Sequence, residues 1–279
     1  MNNYLKRRAA AKSYPLIYFA AAKLGADVSM IGCVGDDDNG NALIKNLQSA
    51  GVNTQGIQMH KDVLTGNAFI TVNRDGENSI IVIPGANAAL TKEHLDSYMK
   101  LMDDCDAILV QLEIPLQVVR HVAKSAKSKG KLVVLDPAPA VCELPEELIQ
   151  SVDILKPNET ELQILTGMKT DATQDIVQAA RMLIKKGIKN IVVTIGSKGT
   201  VWVTEKDYKV FPPRKVDAID TTAAGDAFTA AFASKVTQGC SYGEAIEYAN
   251  IVSSIVVTRK GAQSSIPGYD EVEKILGSG

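Results

Sequence analysis

"KLVVLDPAPAVCELPEELIQSVDILKPNETELQILTG", residues 131–167, decides the fold. Two short β-branched runs, KLVVLDP and VDILKP, are followed by the helical period ETELQILTG. The same rhythm extends outward in both directions. Strand-like DVSMIG, AILVQ and NIVVTIG alternate with helical GNALIKNLQSAG, PLQVVRHVAKSAKSKG and IVQAARMLIKKG. Each helical segment stops at a glycine, a common helix terminator. Apolar strands alternating with helices predict an α/β chain: a mainly parallel sheet covered by helices on both faces.

One region breaks the alternation. TGNAFITVNRDGENSIIVIPGAN, residues 65–87, holds two strand-like runs around Arg74-Asp75-Gly76-Glu77-Asn78, and Asp-Gly between alternating apolar residues is a hairpin signal. It reads either as a flap or as an edge hairpin of the main sheet. No internal repeat or low-complexity linker appears, so residues 1–279 are expected to form a single domain with the hairpin at about 65–84 inserted in it.

The bulk numbers exclude several classes. The net charge is −2 and no basic face is indicated, which argues against a nucleic-acid partner. No apolar run nears the roughly 20 residues of a membrane span. Cys33, Cys105, Cys142 and Cys240 lie far apart, without metal-ligand or CxxC spacing, and read as reduced residues of a cytoplasmic protein. His60, His94 and His121 form no cluster, against a histidine triad or a zinc site. The basic-then-apolar N-terminus loosely imitates a signal peptide, but its apolar part runs into helix-like FAAAKLG.

The chemistry concentrates in IDTTAAGDAF, residues 219–228. It follows strand-like KVDAI and opens a helix expected from about Asp226 to Val236. A helix start presents unpaired N–H groups and the positive end of the dipole. Small side chains at Ala223, Ala224 and Gly225 let an anion approach those donors. Asp226 is either a dipole-matching cap or a carboxylate that takes a hydroxyl proton during phosphoryl transfer, a task suited to an aspartate of ordinary pKa. VVTIGSKGT, residues 192–200, ends a strand with glycines that permit close backbone approach to a nucleotide. No GxxxxGK[ST] or early GxGxxG is present, against a Walker loop or a dehydrogenase. In LKPNETEL, residues 155–162, Asn158 and Glu161 have capping-box spacing and could equally stand around the hydrated Mg²⁺ of bound phosphates. Glu113 and Asp136 sit at ends of apolar strands, where ligands of parallel sheets gather.

Together these stretches resemble the ribokinase family, the PfkB-type carbohydrate kinases, over roughly residues 20–275. DTTAAGDAF is similar to its C-terminal signature, Asn158-Glu159-Thr160-Glu161 to its NxxE motif, and TIGSKG to its nucleotide loop. The resemblance implies a three-layer α/β/α ribokinase-like fold with a partial β-lid, and ATP-dependent phosphorylation of ribose at the 5-hydroxyl. It implies Asp226 as base and substrate contact, and Ala223, Ala224 and Gly225 as the anion hole. ATP would meet Asn158, Thr194, Ile195, Gly196, Ser197, Lys198, Gly199, Gly225 and Asn250, and the sugar would meet Glu113. Mg²⁺ would be held through water by Asn158 and Glu161. K⁺ would be held by Asp220, Thr222, Val256, Arg259, Gly261 and Ser265. A homodimer through the lid is implied as well.

The N-terminal segment 1–19 departs from the family pattern. A first strand with a sugar contact, two lid strands and a glycine-rich loop are expected there. AKSYPLIYF instead occupies the place of the glycine loop, at about residues 11–16. The change is of the kind that a shifted frame or altered gene start produces, which the upstream DNA would reveal in the other two frames. A missing central strand exposes sheet edges. Lost hydroxyl contacts weaken sugar selectivity. A nucleotide-binding but catalytically impaired relative, or a kinase of another sugar or nucleoside, therefore stands beside the ribose kinase.

Overall fold

The computed structural model describes residues 16–72 and 78–277. In chain order its elements are α1 (Leu16–Lys23), β1 (Ser29–Gly35), α2 (Asp38–Ser49), β2 (Asn53–His60), β3 (Asn67–Val72), β4 (Asn78–Ile83), α3 (Lys92–Ser97), α4 (Met99–Asp103), β5 (Ala107–Gln111), α5 (Leu116–Ser128), β6 (Leu132–Asp136), α6 (Glu146–Ser151), β7 (Ile154–Leu155), α7 (Glu159–Thr166), α8 (Thr173–Lys185), β8 (Asn190–Thr194), β9 (Thr200–Val203), β10 (Tyr208–Phe211), α9 (Ala224–Thr237), α10 (Tyr242–Val257) and α11 (Tyr269–Leu276).

Six strands form one sheet in the order β10-β9-β8-β7-β6-β5. Strands β5 to β8 run parallel, and β9 and β10 add antiparallel at one edge. Successive side chains of a strand point to opposite faces, and β6 shows it: Val133 and Leu135 join the core beneath α5 to α8, while Val134 joins the core beneath α1, α9 and α10. Both faces are thus covered, which gives three layers and explains why the strands read as continuous apolar runs. Helix α7 ends as the glycine stop predicts, with Gly167 left-handed at φ 67°.

Strands β1 and β2 pair parallel in a separate two-stranded sheet. Among the described residues neither bonds to β5, and a cavity of about 680 Å³ lined by residues 28–32 and 107–111 lies between β1 and β5. The Tyr18 hydroxyl of α1 donates to the Leu109 carbonyl of β5 at 3.2 Å.

Strands β3 and β4 form an antiparallel hairpin with Asn67 opposite Ile83. Among the described residues it pairs with no other strand, so it is not an edge of the main sheet. Its expected Asp-Gly turn, at 73–77, lies outside the described residues, as do residues 1–15 of the atypical N-terminus.

Two expectations are corrected. KVDAI is not a strand: residues 212–218 carry no regular structure, and Val216 and Ile219 are exposed. Its end is held instead by the Ile219 and Asp220 N–H groups, both donating to the Val257 carbonyl at the end of α10. Helix α9 begins two residues earlier than expected, at Ala224. Helices α3, α4, α6, α10 and α11 were not anticipated; α3, α4 and α6 are too short for a periodic signal. Among the described residues, no helix is long and apolar enough to cross a membrane.

Candidate active site

The carboxyl ends of three parallel strands set the floor of the site. The registers place Gln111 of β5 opposite Asp136 of β6, and Leu135 opposite Leu155 of β7. Lys156, one residue past β7, therefore lands beside Asp136. Its backbone N–H donates to the Leu135 carbonyl, and its ammonium lies 2.7 Å from Asp136 Oδ2 with both side chains 4% exposed. Thr229 of α9 donates its hydroxyl to the same carboxylate oxygen at 2.9 Å. Asp136 Oδ1 is buried and finds no hydrogen-bond partner among the described residues.

The N-terminus of α9 closes over this floor. Ala223, the residue before the helix, is the one described non-glycine residue at positive φ, 66°. Such a left-handed alanine costs about 1–2 kcal/mol and is held only by its surroundings. No side chain caps the helix, although Ala224 donates to the Thr221 carbonyl at 3.3 Å. A side chain at Gly225 would first meet the Lys156 ammonium, at 3.7 Å. The uncapped turn thus carries two positive sources, its own dipole and the lysine beneath it.

Asp226 hangs from the first turn of α9, and Gln111 Nε2 donates to its Oδ1 at 3.4 Å. Burial, reinforced by the Asp136 carboxylate, pushes Asp226 up to about 7; Lys156 and Gln111 pull the other way. The expectation of an ordinary pKa is therefore corrected: three carboxylates share one low-dielectric pocket with a single ammonium. Burial also raises Glu161. Burial alone would lower Lys156, but Asp136, Glu161 and Asp226 outweigh it and hold it raised and charged.

Residues 155–162 and 192–200 come together beside this floor. An isolated parallel bridge joins Asn158 to Thr194, and the Thr194 N–H donates to the Pro157 carbonyl. Asn158 and Glu161 form the full capping box of α7, each side chain accepting from the other's N–H at 2.8 Å. Ile195, Gly196, Ser197 and Lys198 make a short turn closed by Ile195 N–H to the Gly199 carbonyl at 2.9 Å. Gly199 has a structural reason: a Cβ there would sit 2.1 Å from the Phe211 carbonyl oxygen, so the close approach is to the protein's own backbone. Gly196 has a conformational reason, a left-handed φ of 53°, with open space where its Cβ would stand. Asn250 of α10 accepts from the Thr200 hydroxyl at 2.8 Å. Its Nδ2 is buried without a hydrogen-bond partner among the described residues, a donor awaiting an acceptor.

Asp220 ties the approach to α9 to the loop after α10. It accepts from Thr222 N–H and Gly261 N–H, each at 3.0 Å. Burial alone would raise its pKa; these bonds and the Thr222 hydroxyl outweigh it and hold the carboxyl below its ordinary value. Val256, in the last turn of α10, and Ser265 stand close to this loop. The Val256 carbonyl accepts from Arg259 N–H at 3.1 Å, and the fully buried Ser265 donates to the Ala262 carbonyl at 2.7 Å. The Arg259 guanidinium pairs with Glu271 and also donates to the Ser265 carbonyl at 3.4 Å. Among the described residues no three His, Cys, Asp or Glu side chains cluster as metal ligands, and this loop offers mainly backbone carbonyls.

Glu113, two residues past Gln111 at the end of β5, is half-buried. Its carboxylate adds to burial in pushing the Tyr18 phenol up to about 12. Sequence reading missed Lys156, Gln111 and Thr229. The available signal was a lysine and a glutamine placed directly at the ends of apolar strand runs.

A family model described as pfkB family carbohydrate kinase matches residues 17–268. A ribokinase of Haemophilus influenzae is 40% identical over 257 residues, covering 92% of this chain and 84% of that protein. A deoxyribokinase of Salmonella typhi is also 40% identical over the same shares. The solved structure of Arabidopsis thaliana ribokinase complexed with ribose and ATP superposes with a TM-score of 0.89 at 34% identity, covering 94% of this chain and 85% of that one.

Proposed function

Because the chain belongs to the pfkB family of carbohydrate kinases and is a phosphotransferase of that family, we propose that it transfers the terminal phosphoryl group of ATP to the 5-hydroxyl of ribose, giving ribose 5-phosphate and ADP. The observation that carries this reading is the placement of Asp226 at the uncapped, lysine-backed N-terminus of α9. A carboxylate lifted to about 7 holds a proton far better near neutral pH than an ordinary aspartate, yet ionises there. Asp226 would orient the sugar hydroxyl and take its proton as the phosphoryl group departs. The backbone of Ala223, Ala224 and Gly225 would receive the transferring group, whose loose transition state asks mainly for positioning and positive potential.

Asn158, Asn250 and the 194–199 turn would bind the nucleotide; the orphaned Asn250 Nδ2 supports that side. Mg²⁺, when bound, neutralises phosphate charge. Asn158 and Glu161 would hold its water shell, since their oxygens already serve the capping box. K⁺ would lie against ionised Asp220 with the carbonyls of Thr222, Val256, Arg259 and Gly261 and with Ser265, and would steady the α9 turn through the Asp220–Thr222 link. Glu113 would contact the sugar. The β3–β4 hairpin would serve as a lid, and the exposed Leu64, Ile81, Val82 and Ile83 suit a second copy. The cytoplasm, where ATP is plentiful, is the fitting compartment.

Two observations favour second readings. The cavity between β1 and β5 adjoins Glu113, which fits a nucleotide-binding relative with an impaired sugar site. The equal likeness to a deoxyribokinase fits 2-deoxyribose as the acceptor. A coupled ADP-release assay with ribose, 2-deoxyribose, fructose and a nucleoside separates them. Turnover fastest with ribose supports the proposal; ATP binding with no sugar-dependent turnover refutes it.

A further inference from the structure

The two oxygens of the Asp226 carboxylate are not equivalent. Oδ1 accepts from Gln111 Nε2 at 3.4 Å. Oδ2 makes no hydrogen bond among the described residues and keeps access to solvent. The strand puts Gln111 in reach. Alternation along β5 sends Val110 into the core beneath α5 to α8 and Leu109 toward the core beneath α1, α9 and α10. Gln111, two residues past Leu109, faces the α9 side as well, opposite Asp136 in the register. The other groups that act on Asp226 all carry charge: Asp136 from β6, Lys156 just past β7 and Glu161 from α7. The Lys156 ammonium is taken by Asp136 at 2.7 Å. Gln111 is thus the neutral donor of the set, and a carboxylate in its place would be a fourth acid beside a single ammonium. The Asp226 carboxylate also decides which way round the amide stands, because only the amide nitrogen can donate.

We propose that Gln111 is a positioning residue for the phosphoryl transfer: its amide holds Oδ1 of Asp226 and leaves Oδ2 as the atom that receives the sugar proton, an assignment that rests on Asp226 being the base of the proposed kinase reaction. The O–H bond of the sugar's 5-hydroxyl breaks as its oxygen bonds to the terminal phosphorus of ATP. The proton goes to Oδ2. The bond from that phosphorus to the bridging oxygen breaks, and its electron pair leaves on ADP. Asp226 becomes a neutral acid whose Oδ1 is the carbonyl oxygen. The amide N–H therefore keeps its acceptor throughout, and the donor needs no rearrangement during the reaction. A catalytic hydrogen bond as long as 3.4 Å commonly tightens when substrate binds. Gln111 acts through the orientation of Asp226, and a small misplacement of such a base costs on the order of 10²-fold in rate.

The test is a double-mutant cycle in the full chain, read by ribose-dependent ADP formation. Gln111→Met keeps the length of the side chain and removes the donor. Its kcat should fall by about 10²-fold, with ATP affinity and melting temperature close to the parent's. Burial raises the Asp226 pKa and the Gln111 bond pulls it down, so losing the bond should move the rise of kcat/KM to higher pH. Gln111→Glu keeps the shape but replaces the donor with a carboxylate, and should shift that rise further upward. If Gln111 works only through Asp226, adding Gln111→Met to Asp226→Asn should cost less than about twofold. Equal losses in the two backgrounds would overturn the proposal, because a merely structural role would give them. A Gln111→Met variant with the parent's kcat and pH profile, beside an impaired Asp226→Asn, would overturn it while leaving the base in place. An Asp226→Asn variant as fast as the parent would overturn both assignments.

Discussion

Lys156 and Asp136 form an ion pair 2.7 Å long, with each side chain only 4% exposed, beneath the first turn of α9. Neighbouring parallel strands create it, because the register that pairs Leu135 with Leu155 makes these two residues the next in line. Breaking one side of such a pair strands a buried charge, at about 3–5 kcal/mol. Lys156→Met should therefore be destabilised by about that much in urea melts. Adding Asp136→Asn should restore most of the loss. Additive losses in the double variant would show that the two charges do not interact.

Asp226 makes stability depend on pH in an unusual direction. Its native pKa of about 7 stands above its ordinary 3.8, so between those values the native state binds more protons than the unfolded chain. Its contribution to stability is thus full below about 4 and is lost as pH rises through about 7. Asp226→Asn should melt a few degrees higher than the parent at pH 8, with a smaller difference at pH 5. An equal difference at both values would mean that the carboxyl is not raised.

Ala223 holds a left-handed backbone that favours glycine. Ala223→Gly removes roughly 1–2 kcal/mol of strain but loosens the unfolded chain by roughly 0.5–1, so a net gain of about 0.5–1 kcal/mol is expected. Ala223→Val, β-branched, should lose about 2 kcal/mol or more. Chemical denaturation of both variants checks the pair, and a stable valine variant would contradict the assigned backbone.

Much of this was legible in the sequence, for identifiable reasons. Strands buried on both faces, such as Val133-Val134-Leu135, announce themselves as apolar runs, so the layered fold could be read directly. Asp220 and Asp226 were visible because small residues between two acids at a helix start are unusual, and the structure gives the two acids different partners. Lys156 was not legible as part of the site, because its partner lies twenty positions earlier and only the register brings them together. KVDAI misled because β-branched composition does not say whether a neighbouring strand is available to pair.

Asp220 should link cation dependence to the α9 turn. Asp220→Ala removes the acceptor of both Thr222 and Gly261. Turnover of this variant should lose its response to K⁺ replacing choline, while ATP affinity changes little. An undiminished response would place any monovalent cation elsewhere.

The role of Asp226 as base is tested most directly by ribose-dependent ADP formation at saturating ATP and ribose, comparing the chain with its Asp226→Asn variant. The parent's kcat/KM for ribose, which reports the free chain, should rise as pH passes through about 7, and at saturation the variant should be slower by about 10²–10⁴-fold with ATP binding intact. A variant as fast as the parent, or a parent rate that falls as the carboxyl ionises, would contradict the assignment.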